Sequence, residues 1–408
     1  MFDFLRRRRV YLDYASALPV LPEAIVAMRE AEELLGNPGA IHAEGVAAKR
    51  SLEDSRARIA ALLGCKAREL VFTSGLTESN NLAIFGFAKS LERTRRTLQD
   101  THWLVGAIEH DSVLECFAQV EAMGGNITHL KSDERGFILP AVVEQALRPE
   151  TVFVSIGWAN NEIGVVQPLG KIARVLRSHE KKDGTQVMLH ADAGQAPLYL
   201  STVVSSLGVD LLALGGNKLY GPHGIGALYV GNRATLAPLL VGGKQERGLH
   251  AGTESVALAA GFAAAFEVIA RKRGEEAKRL EALRDELARQ LQARIPGVVI
   301  NGDMKHMLPH MLNVSIPNIS SEYVTLALDH AGIAVSTKSA CREGEESRSH
   351  VVAALGGEAW RAMNTLRFSL GRDTTETDIR KIVDSLTEIV RSSKSQTPSA
   401  KQAQNSKF

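Results

Sequence analysis

"LLALGGNKLYGPHGIGALYVG" (211–231) is two apolar runs separated by a glycine-rich break that holds one lysine. The runs read as strands, and a turn between strands has no packing need for so many glycines. Lys218 in that turn is either a solvated turn residue or an amine that carries a cofactor. Its setting comes from working outward. "HWLVGAIEH" (102–110), "TVFVSIGWAN" (151–160), "QVMLHADAG" (186–194) and "DLLALGG" (210–216) read as further buried strands. Amphipathic segments at 45–63, 111–123 and 168–180 lie between them. Strand and helix in alternation predict an α/β fold, with a mostly parallel sheet covered by helices.

Ligands of such sheets bind beyond the carboxyl ends of the strands. Those ends carry His110, Asn160-Asn161-Glu162, Asp192-Ala193-Gly194-Gln195 and Gly215-Gly216-Asn217-Lys218. The alternation spans residues 20–255, a large cofactor-binding domain. A helix is expected over 256–292, and 298–391 mixes strands with helices. Together with 1–19, residues 256–391 read as a smaller α+β domain. Residues 392–408, poor in apolar side chains, read as a disordered tail.

Composition narrows the class. The chain has 408 residues, 45% hydrophobic and 23% charged, as ordinary globular enzymes do. Its net charge of +2 is uneven, because residues 1–10 and 392–408 each carry +3 and leave the body at −4. A basic body patch for nucleic acid is therefore not expected. Cys65, Cys116 and Cys341 lie far apart with no CxxC pair, against a disulfide scaffold, a structural zinc or a resident cluster. "MFDFLRRRRV" lacks an apolar h-region, and no run approaches membrane-span length. A cytoplasmic enzyme is the expectation.

A lysine amine forms a Schiff base with an aldehyde cofactor, most often pyridoxal phosphate. The other needs of such a site each have a candidate. Asp192 can hold a pyridine nitrogen protonated, or simply cap the next helix. Gln195 can hydrogen-bond a phenolic oxygen. His110 can stack on a ring and shuttle protons, or be structural. "FTSGLTESNNLAI" (72–84) reads as strand, tight turn and helix start, where amides and the Thr77 hydroxyl can bind phosphate. Its competing reading is an ordinary capped helix. Arg367 in "LRFSLG" suits a carboxylate, although an arginine alternating on a strand is usually surface. Cys341 sits in "STKSACREGEESRSH" (336–350), a polar stretch unlike the surroundings of a core cysteine, and suits a nucleophile on a mobile loop.

In order and spacing these motifs resemble the class V aminotransferase family of pyridoxal-phosphate enzymes, and within it the cysteine desulfurases of the NifS/IscS type. The likeness runs from "VYLDYASALPV" (10–20) to "LRFSLGRDTTETDI" (366–379) and includes "NNEIGVVQP", "ADAGQ", "GGKQERGLHAGTES" (242–255) and "SAC". It implies a fold-type I homodimer. It also implies that Lys218 holds the cofactor covalently, Asp192 pairs with its ring nitrogen, and His110 stacks on its ring. Gln195 and Asn161 would contact the phenolic oxygen and nearby groups, Asn161 also lying toward substrate. The phosphate would meet Thr77, the Leu76 amide, Asn217, and Thr253 of the partner subunit. Arg367 would clamp the carboxylate of L-cysteine, and Cys341 would take its sulfur as a persulfide, leaving alanine. A sulfur-acceptor protein would follow, for iron–sulfur cluster assembly or tRNA thiolation. A selenocysteine lyase or other class V pyridoxal-phosphate lyase or transferase, and a cofactor-poor scaffold homologue, are the alternative expectations.

Several positions depart from the pattern. Family members usually read Ser-Gly-His-Lys where this chain has Gly215-Gly216-Asn217-Lys218, and an arginine where it has His250. Ala17-Leu18 replaces a threonine pair, and "REGEES" after Cys341 is unusually acidic. Loss of one hydrogen bond to a charged phosphate, about 1.5–3 kcal/mol, predicts looser cofactor binding.

Overall fold

The computed structural model describes residues 9–94, 96–337 and 348–396. They form two compact units, one of residues 17–161 and 165–275, the other of 9–16, 162–164 and the described chain from 276 onward.

The larger unit holds a seven-stranded sheet. Its spatial order is Leu70–Thr73, Gly226–Val230, Leu211–Gly215, Met188–Asp192, Thr151–Ser155, His102–Gly106 and Asn126–Leu130. Gly226–Val230 runs antiparallel to both neighbours, and every other pairing in this sheet is parallel. The central strands are buried along almost their whole length, as a sheet covered on both faces requires. Helices Ala43–Leu63, Asp111–Ala122 and Leu169–Asp183 stand where the amphipathic segments predicted them.

Two strands are shorter than their apolar runs suggest. His102–Gly106 stops before Ile108 because the chain turns back, the Glu109 amide donating to the Gly106 carbonyl at 3.3 Å. Thr151–Ser155 likewise gives way to loop at Ile156. Trp103 and Phe153, both fully buried, meet with ring centroids 4.9 Å apart, and Phe87 and Phe117 pack against them. Burial of each such side chain stabilises the fold by roughly 1.5–3 kcal/mol.

The turn Gln245–Gly248 contains two successive non-glycine residues in left-handed conformation, Glu246 at φ 46° and Arg247 at φ 59°. Such backbone costs about 1–3 kcal/mol per residue unless its surroundings impose it. A buried ion pair does so here. Arg56 donates to both Glu246 oxygens at 2.7 and 2.6 Å, and the Phe72 amide adds a third bond at 2.8 Å. The Arg56 guanidinium also lies 4.7 Å over the Phe72 ring. Glu246→Ala leaves the buried guanidinium with only the half-exposed Glu53 carboxylate at 3.2 Å, so a loss of up to about 3–5 kcal/mol is expected in urea unfolding. An unchanged midpoint would show that the pair does not hold the turn.

The smaller unit contains a three-stranded antiparallel sheet, Thr365–Ser369, Met311–Ser315 and Val299–Asn301. A short parallel pair, Val10–Tyr11 with Ile333–Ala334, lies in the same unit. Helix Val256–Arg294 matches the expected long helix. Helix Glu376–Gln396 runs five residues past 391, so residues 392–396, read from the sequence as the start of a disordered tail, are helical instead. Among the described residues no helix is long and apolar enough to cross a membrane.

Candidate active site

The glycines around Lys218 have a steric cause. The Gly216 amide bonds the Ile225 carbonyl, while the Leu219 and Gly221 amides both return to the Gly216 carbonyl at 2.9 Å. A Cβ at Gly216 would lie 2.9 Å from the Pro222 carbonyl, and one at Gly221 would lie 2.9 Å from the Gly216 oxygen. Only glycine lets the backbone fold this tightly. The result is a one-turn helix, Gly216–Lys218, directly after the carboxyl end of Leu211–Gly215.

Two strands over, Leu70–Thr73 leads through Ser74 and Gly75 into helix Leu76–Ser90. Gly75 has extended backbone, and a Cβ there would meet nothing within 4 Å, leaving open space at the helix N-terminus. On the other side this loop rests on the sheet, where a Cβ at Gly226 would lie 2.6 Å from the Gly75 carbonyl carbon. The Leu76 and Thr77 amides belong to the first turn, whose donors have no intrahelical acceptor. The absent hydroxyl at Gly215 also has a counterpart. A Cβ at Gly215 would come 3.0 Å from the Leu76 Cβ and 3.1 Å from Asn217 Oδ1. Leu76 thus occupies the space that a side chain at 215 would use. Gly215→Ser is expected to destabilise by about 1 kcal/mol through overpacking, and Leu76→Gly, which removes the contacting Cβ, to relieve part of that strain in the same chain. Additive denaturant midpoints for the two substitutions would contradict that coupling.

Asp192 ends Met188–Asp192 and is held at both oxygens. The Gly194 amide donates to Oδ1 at 2.8 Å, and Asn80 Nδ2 donates to Oδ2 at 2.7 Å. The fully buried Asn80 also donates to Ser112 Oγ at 2.9 Å. Ser112 in turn meets His110 Nδ1, with Oγ 3.0 Å and the backbone amide 3.1 Å away. Because Nδ1 accepts the Ser112 amide, the proton of a neutral His110 belongs on Nε2. His110 therefore caps helix Asp111–Ala122 and belongs to the same hydrogen-bonded chain as Asp192. Asp192 bonds the Gly194 amide in a local turn instead of capping a helix.

Glu109, beside His110, is buried with both oxygens 2.8 Å from the Gly157 amide. Burial pushes its pKa up to about 8, the Gly157 bond opposes the rise, and the Asp192 charge adds to it. Glycine at 106 and 157 makes room for this carboxyl, since a Cβ at either would lie 2.6 or 2.9 Å from a Glu109 oxygen.

Glu78 and His250 form a second polar pair at the helix start. Glu78 accepts the Ser74 amide at 2.6 Å and lies 2.9 Å from His250 Nε2. Burial would raise the Glu78 pKa, but the bonds from His250 and Ser74 prevail and hold it at about 2. The bond to Glu78 raises that of His250.

The larger unit therefore brings Leu76, Thr77, His110, Asp192, Gln195, Asn217 and Lys218 to the carboxyl-end side of its sheet. Gln195 is buried, Asn161 and Asn217 are half-buried, and Thr77 and Thr253 are exposed. Arg367 belongs to the smaller unit. It is 1% exposed, so the surface reading of this strand residue is wrong, and it donates to Asp13 Oδ1 at 2.7 Å and Ser16 Oγ at 2.6 Å. Cys341 lies outside the described residues. Asn80, Ser112, Glu78 and Asp13 were not singled out from the sequence. Asn80 and Glu78 stand inside the "FTSGLTESNNLAI" motif, where polar residues packed into one helix start were the available signal.

An amine on a tight turn, a fixed carboxylate and a helix N-terminus opening onto free space form the donor set that a phosphorylated pyridine aldehyde needs. Known proteins agree with that chemistry. Residues 10–382 match the model of the class-V aminotransferase family. The chain is 37% identical over 393 residues to the cysteine desulfurase IscS of Dictyoglomus turgidum, covering 96% of this chain and 97% of that one. A solved NifS-like protein superposes with a TM-score of 0.86 at 30% identity, covering 94% of this chain and 100% of the other. The structure of SspA in complex with cysteine matches at 33% identity and a TM-score of 0.76, covering 88% and 98%. The chain belongs to the class-V aminotransferase family of pyridoxal-phosphate enzymes, among the cysteine desulfurases of the NifS/IscS type.

Proposed function

We propose that this protein converts L-cysteine to L-alanine and holds the sulfur as a persulfide on Cys341 for an acceptor protein. The observation that carries the reading is the hydrogen-bonded line from Asp192 through Asn80 and Ser112 to His110, on the edge of the sheet where Lys218 follows its own strand. The relatives' desulfurase names, and the neighbour solved with cysteine, favour that substrate over other amino acids.

When bound, pyridoxal phosphate supplies the electron sink that makes the substrate's carbon–sulfur bond labile. Each residue then has a task. Lys218 would hold the cofactor through its Nζ, which can also carry protons. Asp192, kept from turning away by its two hydrogen bonds, would hold the ring nitrogen protonated. His110 would face the ring and present its Nε2 proton. Gln195 and Asn161 take the phenolic oxygen and nearby groups, Asn161 also facing substrate. The Leu76 amide, Thr77, Asn217 and Thr253 of the partner subunit hold the phosphate in a homodimer. Arg367, oriented by Asp13 and Ser16, takes the substrate carboxylate. The Cys341 thiolate forms a bond to the substrate sulfur as the carbon–sulfur bond breaks, and the carbon gains a proton to give alanine. A reducing compartment, the cytoplasm, suits that thiol chemistry. Iron–sulfur cluster assembly and tRNA thiolation are the uses considered for the sulfur.

Purified protein given pyridoxal phosphate, L-cysteine and a reductant should release sulfide and alanine in equal amounts. Absence of both would sink the proposal.

A further inference from the structure

The pair Glu78–His250 stands beside the open helix start, yet no role proposed above uses it. Glu78 is the third residue of helix Leu76–Ser90, and its carboxylate reaches back to the Ser74 amide. That places a negative charge at the same loop that is proposed to hold a phosphate dianion. Like charges at this range repel, and a partly buried site screens them poorly. His250 Nε2, 2.9 Å from Glu78 Oε1, is positioned to cancel that charge. The side chains are only 24% and 20% exposed. Arginine in this place would be charged at every working pH. Histidine is not.

We propose that His250 is a cofactor-positioning residue, whose positive charge neutralises Glu78 and so sets how tightly the Ser74–Thr77 loop holds the cofactor phosphate. This rests on the reading that the loop is the phosphate cradle. The groups facing His250 are Glu78 from the helix and Glu246 and Glu254 from its own loop. Glu246 is already paired with Arg56, so Glu78 is the charge that His250 answers. The bond to Glu78 raises the His250 pKa, so its cation persists to higher pH than in a free imidazole and is lost as pH rises further. Cofactor retention therefore weakens on the alkaline side.

The test is an equilibrium titration of pyridoxal phosphate into full-length protein freed of cofactor, followed by absorbance from pH 6.5 to 9. For the natural sequence Kd should rise about tenfold across that range. His250→Arg should remove this rise. Glu78→Gln, which keeps an acceptor for Ser74, should bind more tightly than the natural protein at pH 9. A merely structural role for the pair predicts looser binding there. Pyridoxal, lacking the phosphate, should show no difference among the three proteins. An identical pH slope in His250→Arg overturns the inference, as does looser binding by Glu78→Gln. Thr77→Val separates the two levels. If it leaves pyridoxal phosphate affinity unchanged, the cradle itself is wrong. If it weakens affinity while His250→Arg keeps the natural slope, only the role of His250 fails.

Discussion

Lys218→Ala is expected to lower sulfide release by at least about 10³-fold and to abolish covalent retention of the cofactor after borohydride treatment. The size follows from two losses at one position, the covalent anchor and the amine that carries protons. The Gly216–Lys218 turn is built by backbone bonds to the Gly216 carbonyl and by close glycine contacts. Urea unfolding of the variant beside the natural protein separates loss of the amine from loss of the fold. Activity retained in Lys218→Ala would remove the lysine from the mechanism.

Cys341→Ala should bring sulfide release down by about 10³-fold or more, while the yellow colour of the loaded protein persists. Burial pushes both other cysteine thiols, Cys65 and Cys116, up to about 12. At neutral pH each is a thiolate only about 10⁻⁵ of the time, so neither can replace the nucleophile. Cys116 also donates its thiol proton to the Ser112 carbonyl, as a helix-packing residue does. Cys65→Ala and Cys116→Ala should accordingly release sulfide at the natural rate. Full activity in Cys341→Ala would point instead to an elimination that needs no thiolate.

What the sequence revealed and what it hid divide along sequence separation. Buried parallel strands are continuous apolar runs, so Leu211–Gly215 and Met188–Asp192 could be read from their own residues. The glycine-rich lysine turn was visible as a local departure from packing need. Strand ends were not, because the Glu109 carboxyl just past the turn is held by the amide of Gly157, far along the chain. The burial of Arg367 could not be read either, since its partners Asp13 and Ser16 stand at the other end of the sequence. His250 was noticed only as a missing arginine. Its meaning came from Glu78, which is remote in sequence and adjacent in space.

The single carboxylate of Glu246 accepts both the amide of Phe72, just before the Ser74–Thr77 loop, and the guanidinium of Arg56, and stands four residues ahead of His250. Two segments from distant parts of the gene are thereby indexed to one atom group. Insertions or deletions between Glu246 and His250 would shift the histidine away from Glu78 while the anchor stayed in place. The distance between the anchor and the histidine is therefore fixed by the number of residues in the loop, whatever side chains those residues carry.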